Sequence, residues 1–365
     1  MSGKHDMHPG SLGFSMPRPQ LGSLPGAATF ADEARLSFLE GLRVFNLTKL
    51  KIAAAGAASA ALKAHRPASV EDVRRVVEPQ SNVAVRNRFM RTMQQRMWQA
   101  CASAYEPQRD ALTRWMSDAE SRGPGSLRLD PSLPMPGYYA ANEFHIQPGS
   151  YFGDELAGPV YHYGTKIFYL GMNDADQFNG QLAHAFSAPE DNVVSRVLDL
   201  GCSIGQSATA LALRFPAAEV TAIDLAAPML RYAHARAVDL GLGVDFRQAD
   251  ATRIAEPDGS YDIVHAMILF HELPVAVRTV VVAEAARLLR PGGRFVVVDF
   301  PHQPATEQNT MGAYDRWCDS AYNGEPFAYD FVYGDFAQVL EDAFGSFDSR
   351  VVPPGLVAIR TCTKA

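Results

Sequence analysis

From about residue 176 onward, short apolar runs alternate with longer segments whose apolar positions recur every three or four residues. Arg196 to Leu200, Val220 to Asp224, Val244 to Gln248, Tyr261 to Ala266 and Arg294 to Asp299 read as buried strands. Ser207 to Phe215, Met229 to Leu240 and Arg278 to Leu289 read as helices between them. Strands alternating with helices predict an α/β domain with a parallel sheet covered on both faces. Val351-Val352 and Leu356 to Thr361 predict a final strand pair. The chain before residue 176 has another rhythm. Residues 28–122 are helical in pattern: Thr29 and Ser69 each precede an acid three residues on, as helix caps do. Leu36, Leu39, Leu42 and Phe45 follow at helical spacing, and Phe89, Met90, Met93, Met97 and Trp98 form a second apolar stripe. Residues 123–175 are rich in Pro, Gly and aromatics, which predicts a structured connection, since disordered segments avoid aromatics. Residues 1–27 are polar and rich in Gly and Pro and are expected to be a flexible tail.

Composition narrows the partners. The 365 residues suffice for about two domains, and 47% hydrophobic with 20% charged is an ordinary globular balance. Lys+Arg number 33 and Asp+Glu 40, a net charge of −7, so the chain as a whole has no pull toward a phosphate backbone or an anionic membrane. The arginines at 86, 88, 91 and 96 are too few to reverse this and read as a solvated helix face. Neither nucleic acid nor a membrane is an expected partner; a small-molecule substrate is. The four cysteines form no C-x-x-C pair, which fits a reducing, cytoplasmic setting and no metal or disulfide framework. No run of about 18 apolar residues suggests a membrane span. The alanine-rich stretch Lys51 to Lys63 offers a surface for a homodimer.

The first predicted strand of the α/β half ends in Asp199-Leu200-Gly201-Cys202-Ser203-Ile204-Gly205 and runs into a helix. Glycine is needed where backbone approaches a ligand with no Cβ in between. In open α/β sheets ligands bind beyond the carboxyl ends of the strands. The second strand ends in Asp224, whose carboxylate can accept both hydroxyls of a ribose. A glycine-rich loop between strand and helix, followed by an acid closing the next strand, is a more specific signal than the loop alone.

These residues resemble the class I S-adenosylmethionine (SAM)-dependent methyltransferases. That family's first motif, V-L-D-x-G-x-G-x-G, is matched by Val197 to Gly205 with Ser203 in place of the middle glycine. Asp224 matches the acid of the second motif, Asp250 the acid that faces the adenine amino group, and Leu288 to Gly293 the turn before strand five. The resemblance covers roughly residues 176–300. It implies a Rossmann-like, doubly wound, seven-stranded sheet with the last strand antiparallel, here with a helical N-terminal domain (28–122), an aromatic lid (123–175) and a SAM-binding domain (176–365). It implies SAM as cofactor, held by Asp199, Gly201, Cys202, Ser203, Gly205, Asp224, Leu225, Asp250 and Ala251, with His265 nearby in a strand position that also suits a structural role. A dinucleotide is disfavoured because the loop lacks the G-x-G-x-x-G spacing that frees a helix N-terminus for a pyrophosphate.

Methyl transfer is an in-line displacement from a good leaving group, so alignment and water exclusion supply much of the catalysis. A base is required only where the acceptor must lose a proton. His271, in the segment after the fourth strand, is the candidate base, with Glu272 to orient it or to bind the acceptor. Tyr161, His162 and Tyr163 from the aromatic segment, and Tyr314 from the insertion spanning 301–333, are the candidate acceptor-binding residues. Aromatic faces attract a sulfonium through the ring quadrupole. The Asn/Asp-Pro-Pro-aromatic motif of adenine and glutamine N-methyltransferases is missing, which argues against those substrates. No metal-ligand spacing is visible, and no metal is expected. The expected activity is methylation of an O, N, S or C atom of a small metabolite. A SAM-using enzyme that releases methylthioadenosine, or a non-catalytic SAM-binding protein, would show the same pocket motifs.

Overall fold

The computed structural model describes residues 26–63, 65, 67–303 and 310–365. The expected flexible tail, residues 1–27, lies almost wholly outside them.

Fourteen helices and eight strands are described. The helices are α1 Phe30–Phe45, α2 Lys51–Leu62, α3 Val70–Val77, α4 Ser81–Tyr105, α5 Arg109–Glu120, α6 Gly137–Ala140, α7 Ala157–Phe168 and α8 Gln177–Ala183 in the first half. α9 Gln206–Arg214, α10 Ala227–Asp239, α11 Val275–Leu288, α12 Thr310–Asn323, α13 Ala328–Tyr333 and α14 Phe336–Phe344 follow. The strands are β1 Ser126–Arg128, β2 Arg196–Leu200, β3 Glu219–Asp224, β4 Asp245–Gln248, β5 Tyr261–Met267, β6 Leu289–Asp299, β7 Phe347–Val352 and β8 Val357–Thr363.

The strands form one sheet in the order β1-β4-β3-β2-β5-β6-β8-β7. The first six run parallel; β8 is antiparallel to β6 and to β7. β2 and β3 neighbour each other at the centre, so their carboxyl ends, Leu200 and Asp224, open onto the same edge of the sheet. The central strands are apolar on both faces because helices cover both. Leu198, Ile223, Val264 and Val297 pack on one side; Val197, Ala222, Ile263 and Val296 pack on the other.

The sheet has eight strands where seven were expected. The extra one, β1, lies in the connection read as an aromatic lid and pairs parallel with β4 from Ser126↔Asp245 to Arg128↔Arg247. Three residues are too few to carry a period-two pattern. Ser126 Oγ fixes the register by donating to Asp245 at 2.6 Å. The connection is therefore part of the sheet and not only a cover over it.

The N-terminal caps form as the spacing implies: Thr29 Oγ1 accepts from the Asp32 N–H, and Ser69 Oγ from the Asp72 N–H, both at 3.1 Å. α4 is the spine of this half. Its Met97, Trp98, Cys101 and Tyr105 join Tyr163 and Ile167 of α7 and Met229 and Tyr232 of α10 in one core. The arginines of α4 do not all form a solvated face: Arg86 is buried and donates to Asn87 Oδ1.

Candidate active site

A cleft of about 1140 Å³, partly open to solvent, lies beyond the carboxyl ends of β2, β3 and β5. One wall is the bend after β2. Gly201 sits at φ +64°, and a Cβ there would stand 2.7 Å from Leu269 Cδ1. Ser203, where the resemblance has glycine, takes the same left-handed region at φ +51°. The hydroxyl residue has accepted the backbone shape that glycine adopts without strain.

The bend is held from several sides. Cys202 N–H donates to the Ile223 carbonyl at 2.9 Å, and Ser203 N–H donates to Asp224 Oδ2 at 2.8 Å. The buried Arg236 of α10 donates to the Ile204 carbonyl at 3.1 Å and pairs with Asp176. Asp224 Oδ1 accepts from the Ala226 N–H at 2.9 Å. Each carboxylate oxygen has two lone pairs, so Asp224 retains acceptor capacity toward the cleft. Burial pushes its carboxyl up to about 6 against the backbone donors, with the Glu272 charge adding to the rise.

Of the residues expected to hold the cofactor, Gly201, Cys202, Ser203, Asp224, Leu225, Asp250 and Ala251 line the cleft. Asp250 Oδ1 takes the N–H and hydroxyl of Thr252, at 2.8 and 2.7 Å, leaving Oδ2 available. Three expectations need correction. Asp199 is fully buried behind the bend, with its oxygens taken by Ser207 Oγ and His265 Nδ1. His265 is its partner across the β2–β5 register, and neither reaches the cleft. Gly205 caps α9 at φ +76°, where a Cβ would press on Phe246 at 2.9 Å; it serves packing rather than ligand approach.

The opposite wall comes from the N-terminal half. Tyr138, Tyr139, Tyr151, Tyr161 and Tyr169 face the bend. α7 explains which aromatics do so. Tyr161, Thr165 and Tyr169 recur every fourth residue along one helical stripe and line the cleft. His162 and Tyr163, one and two positions on, turn away, which corrects their assignment to the acceptor site. His162 Nδ1 bonds Tyr232 Oη at 2.8 Å in the interior, where burial and then Arg236 hold its imidazole well below the usual range. Tyr163 Oη donates to Glu33 Oε2 at 2.7 Å. Tyr314 is also misplaced by the sequence reading. It packs between α12 and the N-terminal helices, stacks on Trp317 and accepts from Asn87 Nδ2 at 3.0 Å. Within the cleft, sequence reasoning missed Tyr138, Tyr139, Tyr151, Thr165, Tyr169, Asn173 and Asn179; had residues 157–168 been read as a helix, the four-residue spacing from Tyr161 would have pointed to Thr165 and Tyr169.

Glu272 lines the cleft and His271 does not. Both sit in the turn after β5. Glu272 Oε1 accepts from Tyr151 Oη at 3.1 Å and faces His145 Nε2 at 3.2 Å. His271 is 1% exposed, with Nδ1 2.9 Å from Asp299 Oδ1. Burial pulls its imidazole down, but Asp299, with Glu272 and Glu325 beyond it, outweighs this and pushes it up to about 9. A histidine that holds its proton at neutral pH is a poor base, and it stands behind Glu272.

A glycine-lined bend, an acid closing the neighbouring strand and a wall of tyrosines meet at the carboxyl edge of a Rossmann-like α/β sheet. Residues 197–293 match the family model described as a methyltransferase domain, so this part of the chain is similar to methyltransferases. A demethylmenaquinone methyltransferase of Thermus thermophilus is 41% identical over 109 residues, 30% of this chain and 49% of that protein. A 27-O-demethylrifamycin SV methyltransferase of Amycolatopsis mediterranei is 38% identical over 107 residues, 29% of this chain and 38% of that one. A ubiquinone biosynthesis O-methyltransferase of Xanthomonas oryzae pv. oryzae is 35% identical over 120 residues, 33% of this chain and 48% of that one. The chain thus spans half or less of the length of these curated relatives. Among the described residues, no helix is long and apolar enough to cross a membrane.

Proposed function

We propose that this protein is a SAM-dependent methyltransferase acting on a small metabolite, with a hydroxyl oxygen as the favoured acceptor atom. The observation that carries the reading is the bond from the Ser203 N–H to Asp224 Oδ2, which ties the bend to the acid closing β3. It presents a rigid carboxylate to a ribose beside a backbone stretch able to receive an amino acid moiety. SAM, when bound, supplies a methyl group on a sulfonium. Asp224 would accept the ribose hydroxyls, Asp250 would face the adenine, and the Gly201–Ser203 bend would pass the methionine end. The tyrosine wall would exclude water and lie beside the positive sulfur.

A hydroxyl acceptor must lose its proton as the methyl arrives. Glu272 is the carboxylate in position, held by Tyr151 and His145. Its replacement by glutamine should lower kcat about 10²- to 10⁴-fold while leaving the KM for SAM nearly unchanged. The O-methyltransferase names among the relatives support the acceptor choice. Incubation of the full chain with methyl-labelled SAM and a metabolite extract tests the reading. Labelled product with S-adenosylhomocysteine is expected. Release of methylthioadenosine instead, or binding without turnover, would reject it.

A further inference from the structure

Two distant parts of the chain bring three ligand-type side chains to the edge of the cleft. His145 comes from the turn Phe144–Ile146, and His271 and Glu272 from the turn after β5. One nitrogen or oxygen from each lies within 4.8 Å of the others. His145 Nε2 is 3.2 Å from Glu272 Oε1. Two ligands sharing one tetrahedral cation at bonds of about 2.1 Å stand about 3.4 Å apart.

The surroundings of His271 are those of a metal ligand, and His145 has a carboxylate near its second nitrogen, though not in hydrogen-bonding geometry. A ligating histidine almost always offers its other ring nitrogen to a carboxylate or carbonyl, which fixes the tautomer. His271 Nδ1 meets Asp299 Oδ1 at 2.9 Å, and His145 Nδ1 faces Glu325 Oε1 at 3.5 Å. That leaves Nε2 of each as the ligand atom, and a cation bound there must displace the Nε2 proton that His271 carries in the metal-free chain. His271 Nε2 is buried and has no hydrogen-bond partner among the described residues, a costly state for a polar atom. His145 is also held in place. Its backbone adopts φ +54°, its N–H donates to the Gly324 carbonyl at 2.9 Å, and its carbonyl accepts from Gln94 Nε2 and Trp98 Nε1 at 2.7 and 2.6 Å. Two distant segments, α4 and the turn at Gly324, thus fix its backbone.

We propose that His145, His271 and Glu272 form a site for a single divalent first-row transition cation, open to the cleft on the side of Glu272. Two imidazoles and one carboxylate suit Zn²⁺ or Fe²⁺; Mg²⁺ and Ca²⁺ prefer all-oxygen shells. This reverses the expectation from residue spacing that no metal binds. The site stands independently of the methyl-transfer reading. Its role there, acidifying an acceptor oxygen as a Lewis acid in place of Glu272 acting as a free base, rests on that reading.

The test uses the full chain stripped with a chelator, titrated with Zn²⁺ by calorimetry and with Co²⁺ by visible absorption. One cation per chain is expected, with a Kd at or below about 1 μM, and a Co²⁺ spectrum of low-coordinate nitrogen and oxygen ligation. His145→Gln and Glu272→Gln should each weaken binding at least about 100-fold. Asp299→Asn, which alters only the support behind His271, should weaken it about 10- to 100-fold. SAM titration of the same variants reports whether each is folded, and does so without involving the metal. Absence of stoichiometric uptake by the unmodified chain, or uptake unchanged in His145→Gln and Glu272→Gln, overturns the proposal. Either result leaves SAM binding to be read separately.

Discussion

Asp224 concentrates the residue-scale consequences. Its carboxyl is pushed up to about 6, chiefly by burial, while ribose recognition requires the ionised form. The sign follows: SAM affinity should be flat above about pH 7 and weaken up to about tenfold for each unit below about pH 6. Calorimetric Kd values across that range check it; affinity that improves on acidification would contradict it. Ser203 holds the left-handed conformation that glycine takes freely, a strain of order 1 kcal/mol. Ser203→Gly should therefore bind SAM within about threefold of the parent, and a loss beyond tenfold would show that the side chain itself is needed. The acid and the bend were legible in the sequence because both depend on strand ends and local backbone, which nearby residues dictate. The partners of Asp199 were not: His265 meets it only when β2 and β5 pair, and Ser207 reaches back from the first turn of α9, and together they consume the oxygens that a ligand would have needed.

At the scale of elements, α7 joins the two halves of the molecule. It packs on α4 through Gly164, where a Cβ would overlap the Trp98 ring, 2.0 Å from Cζ3. Gly164→Ala must push that ring aside, and the overpacking should cost about 1–3 kcal/mol. A lowered urea midpoint measures this, and an unchanged one would refute the packing account. As a control, Gly56→Ala in α2 meets nothing within 4 Å and should stabilise by about 0.5–1 kcal/mol. Long alternating elements were readable from the sequence. α7 was not, because its Gly and Pro residues look like loop residues. Gly164 is in fact there for an aromatic ring from another helix, and Pro159 falls in the first turn, where proline is tolerated. Missing that helix turned a stripe at every fourth residue into three consecutive candidates, of which only Tyr161 reaches the cleft. β1 escaped notice for a related reason: three residues gain their strand character from β4, not from their own pattern.

The whole molecule places the cleft between the helical half and the sheet. The sheet supplies the floor with its bend and acids; the helical half supplies the tyrosine wall, with His145 behind it against Glu272. Residues 145 and 272 meet only because α4 and the connection after it dock over the strand ends, so no sequence spacing announces their pairing. The sheet alone would leave Glu272 without Tyr151 and His145, and the cleft open to water. The account therefore stands or falls on whether the assembled cleft takes up SAM through Asp224. The most direct measurement is an isothermal titration of the full chain and of Asp224→Ala with SAM at pH 7.5. The account predicts one site per chain in the parent and affinity reduced about 10- to 100-fold in the variant, the loss of hydrogen bonds to a charged acceptor. No heat of binding in the folded parent, or equal affinity in the two proteins, would contradict it.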